Sequence, residues 1–172
     1  TGVMEGAVRN TVRKRVLNTV CGAFSELMWK VATKNGKESD AYTVPPGHEI
    51  DPDEVRRRLK TGGFDAVCLT HSETATGVMN DISRIAEIVR EFDDVILIVD
   101  VVSSLGGAPV DVDSWGADVV FAGVQKCLAL PPGLTVFSVS EKAFKRAETI
   151  PDRGHYFDFL NYRKMGEKGQ IP

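Results

Sequence analysis

Short apolar runs alternate along the chain with stretches whose apolar residues recur every three or four positions. The runs Val16–Cys21, Ala66–Thr70, Val95–Val99, Val119–Ala122 and Thr135–Val139 read as strands. From Val95 to Val99 no polar residue interrupts, which marks a strand covered by helices on both faces. The clearest helix starts after Ile50. Asp51 is placed to cap it, Pro52 takes the first helical position, Glu54 the third, and Ile50 can staple onto Val55. A second, Asn80–Phe92, puts Ile82, Ile85, Ala86, Val89 and Phe92 on one stripe, with Asp81 near its positive end. A third begins near Phe24, followed by Leu27, Met28 and Val31. Gly2–Arg13 and Ser140–Glu148 also read as helices, whereas His155–Pro172 has no clear period. Strands alternating with helices predict an α/β fold: an open, mostly parallel sheet with helices on both faces.

Composition adds limits. The 172 residues carry 21 Lys and Arg against 24 Asp and Glu, a net charge of −3, with no long basic run. That argues against a nucleic-acid surface built on phosphate neutralisation. No apolar run approaches the ~20 residues of a membrane span, and the opening TGVMEGAVRNTVRKR lacks the apolar segment of a signal peptide. One domain, residues 1–172, is expected, without internal repeat or low-complexity linker. Cys21, Cys68 and Cys127 are odd in number and widely spaced, so neither a disulfide framework nor a zinc site is expected. A reducing cytoplasm is the natural compartment, and a peroxisome or mitochondrion fits as well.

Open parallel sheets bind ligands beyond the carboxyl ends of their strands. Asp100 follows Val99, His71-Ser72-Glu73-Thr74 follow Thr70, and Gln125-Lys126 come shortly after Ala122. A carboxylate, hydroxyls and an ammonium are thus expected at one edge. Spacing alone leaves a plainer reading open, in which Asp100 caps a turn and Lys126 is a solvated loop residue. No GxGxxG follows a strand and GVQK lacks the Walker A glycines, which disfavours a nucleotide-binding fold.

Residues 99–134, VDVVSSLGGAPVDVDSWGADVVFAGVQKCLALPPGL, combine an Asp ending an apolar strand, an SxGG, a Gly-x-Gln-Lys and a Pro-Pro-Gly. LTHSETATG (69–77), the opening TGVMEGAV and CGAF (21–24) add three further segments in the same order. Together they resemble the class V aminotransferases among fold-type I pyridoxal-phosphate enzymes, particularly the alanine–glyoxylate and serine–pyruvate group. The resemblance implies pyridoxal 5′-phosphate as cofactor, with Lys126 as the catalytic amine that forms a Schiff base with it. Desolvation and nearby cationic groups are then expected to strip the charge from that lysine. Asp100 would pair with the pyridine nitrogen. At ~4 Å and an effective dielectric of about 20 such a pair attracts by roughly 4 kcal/mol, enough to raise a pyridinium pKa by two or three units. Phe24 would stack on the ring, or else simply open the stripe with Leu27. Val102 would pack under the ring, or belong to the core. Thr74 would bond the ring 3′ oxygen, and Gln125, Thr1 and Gly2 would hold the phosphate at a helix amino terminus. Ser104, His71 and Glu73 match the family but serve equally well as structural residues.

The implied activity is transfer of an amino group from alanine or serine to glyoxylate or pyruvate, in a homodimer. Alternatives are another class V enzyme, such as a cysteine desulfurase or lyase, or a non-catalytic α/β binding or assembly domain. Gln125 stands where those relatives commonly carry His before the lysine, and Cys127 has no loop to make it mobile. Ala75 and Val124 replace the family's usual hydroxyl residues. Judged against the resemblance, the chain starts inside the phosphate loop and stops before the small domain and its substrate-binding arginine. The 172 residues alone are therefore expected to be a poor catalyst.

Overall fold

The computed structural model describes residues 1–170. Six strands form one sheet in the order β2-β1-β3-β6-β7-β8. They are β1 (Arg15–Val20), β2 (Glu38–Thr43), β3 (Ala66–Thr70), β6 (Ile96–Asp100), β7 (Val119–Gly123) and β8 (Thr135–Val139). β4 (Ser72–Glu73) and β5 (Val78–Met79) make a small antiparallel ribbon just beyond β3. Every pairing in the main sheet is parallel except β7 with β8. The α/β class and the mostly parallel sheet agree with expectation.

The two-residue period of the strands divides their side chains between two cores. Leu17, Val67, Leu69, Leu97, Val99 and Val120 meet α3 (Pro52–Leu59), α4 (Ile82–Val89) and α5 (Val112–Trp115) on one face. Val16, Ala66, Cys68, Ile96, Ile98 and Phe121 meet α1 (Gly2–Thr11), α2 (Ala23–Lys34), α6 (Glu141–Glu148) and α7 (Phe159–Glu167) on the other. β6, apolar except for its last residue, is buried at all five positions, as a strand between two helical layers must be. None of the helices of the described residues is long and apolar enough to cross a membrane.

Three features escaped the hydrophobic pattern. β2, ESDAYT, is an edge strand with little apolar content, so it carries no strand signature. α5 is a single capped turn, and α7 lies in the segment without clear period. The expected α3 does form as read: Asp51 Oδ1 accepts from Asp53 N–H at 2.9 Å, and Ile50 and Val55 are both buried.

At the amino-terminal edge of the sheet Arg146 is buried and donates to the carbonyls of Thr11 and Asp65, each at 3.1 Å, and to Asp94. At the opposite edge Glu73 is fully buried and closes the start of α2. Its carboxylate accepts from the N–H groups of Phe24 (3.1 Å), Ser25 (2.9 Å) and Ala75 (3.1 Å), and from the Ser25 hydroxyl (2.8 Å). A negative group at a helix amino terminus is stabilised by the unpaired N–H groups and the helix dipole. Glu73 is thus a capping residue, which resolves its two readings. The approach demands glycine at position 22, where a Cβ would stand 2.4 Å from Glu73 Cγ. Gly22→Ala is expected to displace the carboxylate and lower stability by about 2–4 kcal/mol in urea denaturation; an unchanged midpoint would contradict this role for Glu73.

Candidate active site

A cavity of about 360 Å³ opens over the carboxyl ends of β3, β6 and β7, within the size range of small-molecule sites. Its walls come from parts of the chain far apart in sequence. β3 ends in Thr70, and Ser72 and Thr74 follow it into the cavity wall. β6 ends in Asp100, with Val102 and Ser103 in the turn after it. The turn after β7 brings Gln125 and Lys126, and the amino ends of α1 and α2 bring Thr1 and Phe24. Of the eight residues proposed from the sequence, all but Gly2 line this one space. Gly2 opens α1 behind the wall, and the Phe157 ring lies 2.8 Å from where its Cβ would be.

Asp100 and Thr70 are register partners across the β3–β6 pair, so their side chains emerge on the same face. β6 extends one residue further than the apolar run, making Asp100 its last residue rather than the first beyond it. Asp100 is only 6% exposed. Its Oδ1 accepts from the Val102 N–H at 2.8 Å, and among the described residues no donor or cation pairs with Oδ2. Burial pushes its pKa up to about 6, opposed by the Val102 hydrogen bond and less strongly by the positive charges of the Thr1 amino group and Lys126, while the Glu73 charge pushes the same way as burial. The turn-capping reading of Asp100 is therefore partly right, because one oxygen does cap the Val102 turn. The other oxygen is left for the cavity.

Lys126 is exposed, so the described residues do not supply the desolvation expected for it. Its Nζ lies 5.7 Å from the centre of the Phe24 ring, a cation–π contact. Phe24 is 40% exposed and stands at the cavity, not in the core that takes Met28. The cavity reading thus displaces the apolar-stripe reading for Phe24. Val102 serves both of its readings, lining the cavity and packing against the α1–α2 core.

His71 and Ser104 lie elsewhere. Ser104 is buried and its Oγ is 2.9 Å from His71 Nδ1, while the His71 ring meets Trp115 edge-on at 5.1 Å. Neither lines the cavity, and burial holds the His71 pKa below the ordinary imidazole range. The sequence reading passed over Ser103, whose Oγ is 2.5 Å from Thr74 Oγ1. Thr70 and Ser72, placed at that edge by the sequence but given no role there, line the cavity as well. Position beside the end of a parallel strand was the signal available for all three.

The raised pKa of Asp100 has a definite consequence for stability. A carboxyl with pKa about 6 in the folded chain and the ordinary 3.8 when unfolded holds its proton more tightly when folded. Its contribution to stability is then complete below pH 4 and lost as pH rises through 6. Two units correspond to about 3 kcal/mol. In cofactor-free protein, Asp100→Asn is expected to raise the urea midpoint at pH 8, by up to about that amount, and to have little effect near pH 4. Destabilisation at pH 8 would show that the carboxylate is already compensated.

The family model for Aminotransferase class-V matches residues 7–170. An uncharacterized aminotransferase of Methanocaldococcus jannaschii is 40% identical over all of this chain and 46% of its own length. A serine–glyoxylate aminotransferase of Methylorubrum extorquens is 34% identical with the same coverage. Among solved structures, the alanine–glyoxylate aminotransferase from Nostoc sp. superposes with a TM-score of 0.92 at 29% identity, over 99% of this chain and 46% of that one. The chain thus spans about half the length of the curated relatives it matches. With the fold shared across its whole extent and the family match covering nearly all of its residues, the chain belongs to the class V aminotransferases.

Proposed function

We propose that this chain carries the pyridoxal-phosphate site of an aminotransferase that moves an amino group from a small amino acid, alanine or serine, to glyoxylate or pyruvate. The observation that carries the proposal is a buried carboxylate with no salt-bridge partner among the described residues, Asp100, on the same cavity as the primary amine of Lys126. The two donors, and glyoxylate among the acceptors, are those in the names of relatives from Methylorubrum extorquens and Nostoc sp.. A second copy of the chain is the proposed protein partner.

The residues present fit the cofactor. An unpaired buried carboxylate calls for a cation, and a protonated pyridine nitrogen is one that also fits among apolar side chains. The first turn of α1, with Thr1, Val3 and Met4 on the cavity, presents unpaired N–H groups and a positive dipole end to a phosphate. When bound, pyridoxal phosphate supplies an aldehyde that condenses reversibly with primary amines and a ring that takes up electron density.

The chain's own groups then have distinct tasks. Asp100 holds a proton on the ring nitrogen by its negative charge, which an uncharged Asn could not do. Lys126 anchors the cofactor through its amine and, once released, carries a proton to and from the substrate α-carbon. Phe24 and Val102 supply apolar surfaces between which a flat ring can lie. Thr74 would donate to the ring oxygen, while Gln125 and Thr1, which line the same cavity, would hold the phosphate. Of the three cysteines, Cys21 and Cys68 are buried, and the thiol of Cys127 donates to the Ser103 carbonyl at 3.4 Å. Cys127 is exposed in the turn after β7, directly beside Lys126, and its thiol is held against the Ser103 carbonyl, an arrangement that favours amino transfer over a reaction needing a mobile thiol.

Titration with pyridoxal phosphate tests the proposal. The protein is expected to develop a visible absorption band that borohydride removes and Lys126→Ala abolishes, and to lose that band when alanine or serine is added without an acceptor. A wild-type protein with no such band would overturn the assignment of both Lys126 and the cofactor.

A further inference from the structure

The adjacent serines 103 and 104 face opposite ways and pin the same segment at two points. Ser104 reaches His71 at its start, and Ser103 reaches Thr74. Ser103 also joins the remaining walls of the site. The residue before it, Val102, gives its N–H to Asp100, and the Ser103 carbonyl accepts from the thiol beside Lys126. Thr74 itself is exposed, in the turn between β4 and β5, and among the described residues its hydroxyl makes no other hydrogen bond.

A hydroxyl has one proton and two lone pairs, so only one of the two can donate into the bond they share. Two patterns are open. If Thr74 donates to Ser103, its proton is turned away from any ligand. If Ser103 donates to Thr74, the Thr74 proton remains free to point into the cavity, and the incoming bond polarises it into a better donor. Ser103 then acts as the fixed member, because its main chain is tied on both sides, while Thr74 lies on the less constrained turn.

We propose that Ser103 is a positioning residue whose hydroxyl donates to Thr74 Oγ1 and so aims the Thr74 proton at an acidic ring oxygen of the ligand. This rests on the cofactor reading above, which makes that oxygen the 3′ oxygen of pyridoxal phosphate. Ser103 needs no contact with the ligand for this role. Its effect passes through Thr74, so the two residues must act as a unit.

The experiment compares wild type, Ser103→Ala, Thr74→Ala, the double variant and Ser103→Thr. Each is titrated with pyridoxal phosphate for its dissociation constant, and the pH midpoint of the bound absorption band is recorded. Loss of one hydrogen bond predicts about three- to tenfold weaker uptake for Ser103→Ala. Removing a donor from an anionic oxygen also predicts a rise in the pH midpoint. The double variant is expected to match Thr74→Ala alone, because Ser103 has nothing left to aim. Ser103→Thr, which keeps the hydroxyl, is expected to restore the midpoint. A general loss of packing would not give that pattern. An unchanged Ser103→Ala, or losses that simply add in the double variant, would overturn the inference while leaving the cofactor reading intact. Wild-type protein that takes up no cofactor would overturn both.

Discussion

A carboxylate held at the end of a buried strand, with only one of its two oxygens hydrogen-bonded, is the constraint around which this structure is organised. Asp100 terminates β6, a strand sealed between two helical layers, and is itself almost entirely buried. Burial of an unpaired charge is costly, and the pKa displaced to about 6 is the measure of that cost. A cation delivered into the cavity would remove it. On the proposed reading, that cation is the protonated ring of the cofactor.

Comparison with Glu73 sharpens the point. The two carboxylates lie at the same edge of the sheet, on the segments following adjacent strands, and both are buried. Glu73 accepts from three N–H groups and a hydroxyl, so its lone pairs are filled and its work is to start α2. That in turn sets Phe24 at the cavity mouth, over which Lys126 extends. Asp100 accepts from one N–H only. Equal burial with unequal satisfaction separates a structural acid from one arranged for a ligand.

Much of this was readable in the sequence because period and chemistry coincide. The apolar runs located β1, β3, β6, β7 and β8 to within a residue or two, and strand ends in a parallel sheet bring distant residues together, so Asp100, Thr74 and Lys126 could be assigned to one edge. β2 was not legible because an edge strand need not be apolar on both faces. Direction within the SS pair was also beyond reach: Ser104 had a family match but read equally well as a turn serine, and the turn after Asp100 sends it to His71 and leaves Ser103 in the cavity. Nor could spacing show that Glu73 caps a helix 48 residues earlier in the chain, since that contact exists only once β1 and β3 are paired. Lys126 is exposed among the described residues, whereas the resemblance implied a desolvated amine.

The claim that Asp100 exists to hold a positive ring is tested most directly on the ring itself. Nitrogen NMR of bound pyridoxal phosphate labelled with ¹⁵N in the pyridine ring reports whether that atom carries a proton. At pH 8 the wild-type protein should show the pyridinium resonance and Asp100→Asn the unprotonated one. A neutral pyridine nitrogen in the wild type at that pH would contradict the account.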